Sequence, residues 1–209
     1  MSVVSKKGTA TRRAGQETAT KILQAAHDVL ETETLTRFTM RNIATRAGVS
    51  LANLQYYYPR REALIGAMVR DIEARYRIAC EEVIAAEANS QPLDQFKAVL
   101  RFQLEDATQT RTRQFFIQLW ALLGSMDNFS GSFLEQLYAH DLDMLSKPIA
   151  ALHNDLSQAG VRERALQIAS LVEGLMVVIG NTASNPASTE RTLELVFATA
   201  LKIACDKNE

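Results

Sequence analysis

The sequence is short of the residues that staple, kink or anchor a chain: 209 residues contain two cysteines, four prolines and one tryptophan. Cys80 and Cys205 stand far apart, outside any metal-ligand spacing. Two free thiols on helix faces are therefore expected, rather than a disulfide framework or a zinc site. Four prolines in a chain rich in Ala, Leu, Glu and Arg leave room for long helices. The longest apolar stretch, Leu171 to Gly180, already contains Glu173 and falls short of the roughly 20 residues that cross a bilayer. The first 16 residues carry Lys6, Lys7, Arg12 and Arg13 with no apolar run behind them. This gives the expectation of a cytoplasmic protein. Catalytic signatures are also lacking: there is no HExxH, nucleophile elbow or phosphate-binding glycine loop, and His27, His140 and His153 are not at ligand spacing. His140, Asp141 and Asp143 form only a weak cluster on one helix. No enzyme, cofactor or metal is expected.

The net charge of −1 conceals an asymmetry. Residues 1–61 hold ten Lys or Arg against four acids, and the rest hold thirteen against twenty. A polyanion would therefore meet the N-terminal end. Basic tails also occur on surfaces that bind nothing, so charge alone does not decide.

Periodicity gives an all-α chain of about nine helices. Residues 1–15 lack a hydrophobic period and read as a mobile basic arm. Ile22, Leu23, Ala26, Val29 and Leu30 then recur at helical spacing and define a first helix from about Gln16. Thr39 is placed to cap a short helix over 40–47, and Ser50 to cap another over 51–58, which Pro59 ends. Apolar residues from Leu64 to Ile84 mark a long fourth helix, and a break at Asn89 to Pro92 precedes a fifth. A sixth ends before a turn-rich loop from Gly124 to Gly131. The seventh contains Pro148 and is closed by Gly160; the eighth (162–181) and ninth (189–206) are separated at Asn185-Pro186. The expected domains are the arm at 1–15, a three-helix head at 16–60, and a helical bundle at 61–209.

The informative segment is FTMRNIATRAGVSLANLQYYYPRREALI, residues 38–65. Ala44 is small where a second helix crosses, Gly48 permits a sharp turn, and Val49 and Leu54 lock the two helices together. With Leu54 and Tyr58 buried, the third helix offers Leu51, Ala52, Asn53, Gln55, Tyr56 and Tyr57 to solvent. A major groove about 12 Å wide admits such a helix. Asn53 and Arg41 are the candidate base readers, the latter through a guanidinium fork that matches guanine. Thr39, Tyr56, Tyr57 and Arg61 suit phosphates, and Met40 and Ser50 complete the expected contact set.

The pattern Phe38-Thr39, Ile43-Ala44, Ala47-Gly48-Val49-Ser50, Leu54, Tyr57-Tyr58 and Arg61-Glu62-Ala63-Leu64 resembles the DNA-binding signature of the TetR (tetracycline-repressor-like) family. The match is dense over about residues 16–65; beyond it the likeness is in helix count and order. Gln55, Tyr56 and Tyr58 stand where the family often has Tyr, His and Phe, and no Gly precedes Phe38. The resemblance implies an all-helical dimer whose C-terminal domain senses a small molecule and alters the spacing of two DNA readers. It implies a regulator, expected to be a repressor released from a palindromic operator by its effector.

Apolar residues cover more than half the circumference of the eighth helix, more than one internal contact needs. A two-fold four-helix interface with the ninth helix is expected through Ala169, Val172, Gly174, Met176, Leu193 and Phe197. Complete burial within a monomer is the alternative. For a ligand, Gln103, Phe116, Trp120, Tyr138, Met144 and Glu173 are the suggestive residues, because aromatics with an acid suit a cationic or amphiphilic effector. Plain core is the alternative reading of each. The competing classes are an interaction protein with a vestigial DNA reader and a helical-bundle enzyme.

Overall fold

The computed structural model describes residues 6–87, 90–126, 130–153, 155–182 and 186–206. All nine helices that these residues form are α-helices: α1 (Lys6–Thr32), α2 (Met40–Arg46), α3 (Leu51–Tyr57), α4 (Arg61–Ala86), α5 (Pro92–Thr108), α6 (Thr110–Gly124), α7 (Ser130–Leu152), α8 (Gln158–Thr182) and α9 (Pro186–Cys205). A single 3-10 turn spans Leu35–Arg37, and no strand occurs among the described residues. Asn89 and Asn185, the expected breaks, and 127–129 of the expected loop lie outside the described residues, as do the first five residues of the arm.

Two expectations about boundaries are corrected. Helix α1 starts at Lys6 instead of about Gln16, so most of the segment read as a mobile arm is helical. Residues 6–15 lack an apolar stripe, but they contain no proline and include Ala, Lys and Arg, which continue a helix once a packed segment has nucleated it. Gly160 does not close α7, which ends at Leu152; it lies in the first turn of α8. There its N–H donates to the Ser157 hydroxyl at 3.1 Å, so Ser157 caps α8. A Cβ at Gly160 would come within 2.8 Å of Leu156 Cδ1, so a larger residue there would have to move the end of the Leu156 side chain. Pro148 sits inside α7 as expected.

The apolar side chains form two cores. The first joins α1, α2 and α3 to the N-terminal half of α4 and to α6, through Ile22, Val29, Ile43, Leu54, Leu64 and Leu119 among others. The second joins α5, α7, α8 and α9 around Phe96, Leu145, Ile149, Ile168 and Ala200. The head is therefore not packed on itself alone. Phe115, Leu119, Leu122 and Leu123 of α6 close its core, so the expected boundary near residue 60 does not coincide with a gap in packing.

Gly48 carries φ +68°, the left-handed region that L side chains rarely adopt, between α2 and α3. Nothing lies within 4 Å of the position its Cβ would take, so Gly48→Ala meets only conformational cost. That cost is roughly 1–2 kcal/mol. The expected outcome is a fall of a few degrees in Tm, with Gly48→Asn less affected because Asn tolerates this region better; equal Tm values for all three proteins would contradict the reading.

Candidate nucleic-acid interface and the adjoining cavity

The two short helices α2 and α3 are held by local chemistry. Thr39 accepts from the Asn42 N–H at 3.2 Å and Ser50 from the Asn53 N–H at 3.1 Å, so both expected caps are formed. The Val49 N–H donates to the Ala44 carbonyl at 3.0 Å across the Gly48 turn. Leu54 is fully buried and anchors α3 on the head core, while Tyr58 donates to the Ala19 carbonyl at 3.4 Å. This leaves Ala52, Asn53, Gln55 and Tyr56 exposed and Leu51 and Tyr57 half-buried. Tyr56 is 80% exposed, and its ring meets Tyr57 edge-on at 5.2 Å between centroids. The Tyr57 hydroxyl lies beside Gly15, which brings the basic N-terminal extension of α1 next to α3.

The arginines of the head are sorted by their partners. Glu33 is a hub: it accepts from Arg46 Nη1 at 2.6 Å, Arg37 Nε at 3.2 Å and Asn42 Nδ2 at 3.3 Å, tying α1, the 3-10 turn and α2 together. Partial desolvation pushes its carboxyl up, but the hydrogen bonds from Arg37 and Asn42 and the nearby positive charges outweigh this and hold it below the usual range. Arg37 and Arg46 are thus committed to structure. Arg41, on the exposed face at the start of α2, enters no ion pair among those found in the described residues.

Two of the expected contacts are differently placed. Met40 is half-buried and packs against the head core, so it supports the face more than it forms it. Arg61 lies with its guanidinium over the Phe38 ring at 5.6 Å, because the start of α4 faces the entry to α2. Sequence reasoning passed over Arg60, which is exposed at the N-cap position of α4 with no side-chain cap bond. The Pro59-Arg60-Arg61 run was its signal.

Residues 22–68 match the family described as bacterial regulatory proteins, tetR family. The head is that of a TetR-family transcriptional regulator. The chain is 27% identical over 190 residues to an uncharacterized HTH-type transcriptional regulator in the dhlA 5′ region of Xanthobacter autotrophicus, covering 88% of this chain and 90% of that one. Its fold is similar to that of reduced Escherichia coli NemR, with TM-score 0.73 at 15% identity over 89% of this chain and 97% of that one. A TetR transcription regulator from Haloarcula marismortui gives TM-score 0.72 at 19% identity, over 90% and 97%.

A cavity of about 60 Å³ lies among α4, α5, α6, α7 and α8. Five of the six residues singled out for ligand contact line it: Gln103, Phe116, Tyr138, Met144 and Glu173. Trp120 does not; its ring is tilted against that of Phe116, with centroids 6.2 Å apart. Sequence reasoning missed Glu73, Tyr76, Asp106 and, except as part of the weak cluster, Asp141. Asp106 accepts from the Tyr76 hydroxyl and from Thr112 at 3.1 Å, and Asp141 accepts from Gln103 Nε2 at 3.2 Å. Burial pushes Asp141 up to about 6. Burial, then the charge of Asp141, pushes Glu173 up to about 7. Burial also raises the phenol of Tyr138, to about 12.

The expected dimer residues divide between inside and outside. Ala169 and Met176 are 5% exposed and belong to the protomer's own interior, which corrects their assignment to the interface. Val172 lines the cavity, while Leu193 and Phe197 are half-buried on the second core, with the Arg101 guanidinium over the Phe197 ring at 4.7 Å. The face of α8 that points outward carries Leu166 (55% exposed), Ser170, Gly174 and Val178 (57%), at a spacing of four residues, flanked by Val177. On α9, Leu195 is 60% exposed. No helix among the described residues is long and apolar enough to cross a membrane.

Proposed function

We propose that this regulator acts as a homodimer joined through the outward faces of α8 and α9, that its two heads grip a palindromic operator, and that a small molecule entering the cavity releases it to end repression. The observation that carries the DNA reading is the α2–α3 face: a capped, glycine-turned helix pair presents Asn53, Gln55 and exposed Tyr56, with half-buried Tyr57 against it, beside the unpaired Arg41. Asn53 and Arg41 read bases, while Thr39, Tyr56, Tyr57 and Arg60 hold phosphates. Exposed Leu166, Val177, Val178 and Leu195 form an apolar face that favours a second copy, and two linked heads bind far better than one.

Packing supports a route for release. The cavity touches Ile72, Glu73 and Tyr76 of α4 and Phe116 of α6, and these two helices also carry the core of the head. Two residues beyond Phe116, Gln118 Nε2 donates to the carbonyls of Leu30 and Glu33 at 2.8 and 2.5 Å, capping the C-terminal end of α1. A ligand that displaces α6 therefore moves α1 as well as α4, and it must bind the two head spacings unequally to shift them.

Fluorescence anisotropy with a duplex from the gene's own upstream region tests the DNA reading. Arg41→Ala is expected to weaken binding about 10- to 100-fold and Tyr57→Ala by a lesser factor, both with unchanged helical content. Raising salt should lower affinity steeply, with a log–log slope of roughly −5 to −7 for six to eight neutralised phosphates. Salt-indifferent binding, or full affinity in both variants, would rule out docking through this face.

A further inference from the structure

The cavity has a one-sided charge. Its lining includes four carboxylates, Glu73, Asp106, Asp141 and Glu173, and no lysine or arginine. The nearby cation on α6, Arg113, is occupied elsewhere, donating through Nε to the Met176 carbonyl at 3.1 Å. Two of the carboxylates are already engaged: Asp106 accepts from Tyr76 and Thr112, and Glu73 is not free. The remaining pair has capacity to spare. Among the described residues, Glu173 Oε2 is buried with no hydrogen-bond partner, and Asp141 receives one side-chain hydrogen bond, from Gln103.

Gln103 supplies an independent pointer. It is 7% exposed and lines the cavity; its amide nitrogen is used by Asp141, so its carbonyl oxygen Oε1 is left buried without a donor. Reversing the amide would set that oxygen against the Asp141 carboxylate, so the orientation is fixed by charge. A buried acceptor with no donor is costly, and a ligand bringing positive charge or N–H groups would relieve it together with Glu173. The rest of the lining is largely apolar: Ile72, Phe116, Leu137, Met144, Val172 and Met176. The rings of Tyr76 and Tyr138 also line it.

We propose that the cavity takes an organic monocation, an amine or quaternary ammonium with an apolar body, its positive centre held by Asp141, Glu173 and the Gln103 carbonyl. This rests on reading the cavity as the effector site. One positive centre matches the one unsatisfied carboxylate pair, the tyrosine rings add cation–π attraction, and the apolar walls take the body. An inorganic cation does not fit: no group of three or more His, Cys, Asp or Glu arranged to hold a metal occurs among the described residues.

Trp120 is the protein's only tryptophan and its ring lies tilted against cavity-lining Phe116, so its emission reports occupancy. The test titrates the full-length protein with benzyltrimethylammonium, its neutral isostere neopentylbenzene, the bulkier tetraphenylphosphonium, and benzoate. At least one cation is expected to give a saturable change, with benzoate silent and the isostere at least tenfold weaker than its cation. Glu173→Gln and Asp141→Asn should each lower cation affinity about tenfold while circular dichroism stays native, since each removes a charge that burial disfavours. Benzoate or the isostere binding as well as the cation, unchanged affinity in both variants, or no response to either cation would overturn the proposal. Repeating the titration on the duplex complex separates the two readings. A cation that binds but leaves the duplex bound overturns the release mechanism alone, whereas release by benzoate with no cation binding overturns the ligand class alone.

Discussion

Gly174→Arg is expected to split the dimer while leaving each protomer folded. Gly174 is exposed, and no atom lies within 4 Å of the Cβ that substitution would add. In the interior of α8 arginine is also the better helix former, by somewhat less than about 1 kcal/mol. The same position stands in the middle of the outward stripe of Leu166, Ser170 and Val178, so in a dimer two arginines would be driven against each other in an apolar seam. Sedimentation should show a monomer, circular dichroism an unchanged helical spectrum, and operator affinity a loss of about 100-fold or more, because the second head no longer binds at high effective concentration. Ala169→Arg is the contrast: at 5% exposure it enters the second core and should unfold the protomer itself. A dimer that survives Gly174→Arg would remove the α8 face from the interface.

The head was readable from sequence because its determinants are local. Thr39 and Ser50 cap the helices that follow them, Gly48 takes the left-handed turn, and Leu54 is the one fully buried side chain of α3, all within 20 residues. Which side of α8 faces out was not readable. Its apolar residues run around the helix, so period alone cannot separate buried Ala169 and Met176 from exposed Leu166 and Val178; only the positions of α5, α7 and α9 do so. The cavity shows the same limit. Glu73 and Asp106 lie on helices with a normal wet face, where an acid reads as solvated, and they become cavity residues only when α4 and α5 converge. The Gln118 cap on α1 and the Glu33 hub also join elements distant in sequence, or residues whose pairing no short-range rule selects. Helix α1 exceeded its expected start because helix continuation needs only the absence of a breaker, whereas periodicity detects only a packed stripe.

Glu173→Gln should raise stability at neutral pH and flatten its dependence on pH. In the folded chain Asp141 titrates at about 6 and Glu173 at about 7, both above their ordinary values of 3.8 and 4.5. The folded state therefore holds protons that the unfolded state has lost, and the stability associated with these two groups is full below about pH 4 and is lost as pH rises through 7. At 1.36 kcal/mol per unit, the loss at Glu173 is of order 1–3 kcal/mol, part of it screened through the cavity mouth. His27 has the opposite sign. Its burial, then the charge of Arg75, lower it to about 4 against the pull of Asp71 at 3.1 Å, so its contribution is lost as pH falls from about 6.5 through 4. Glu33, held low by Arg37, Asn42 and Arg46, also loses its contribution on acidification. The wild-type curve sums these terms, but the difference between wild type and Glu173→Gln isolates the cavity carboxylate. Thermal unfolding from about pH 4 to 8 should show that difference smallest at the acid end and growing in favour of Gln toward pH 8. A constant difference would mean that Glu173 stays ionised throughout, and the same experiment with a saturating organic cation should then reveal whether the carboxylate is already solvated. In the cation-bound protein the order reverses: Glu173 becomes paired, its proton is displaced, and wild type should gain Tm over Glu173→Gln as pH rises.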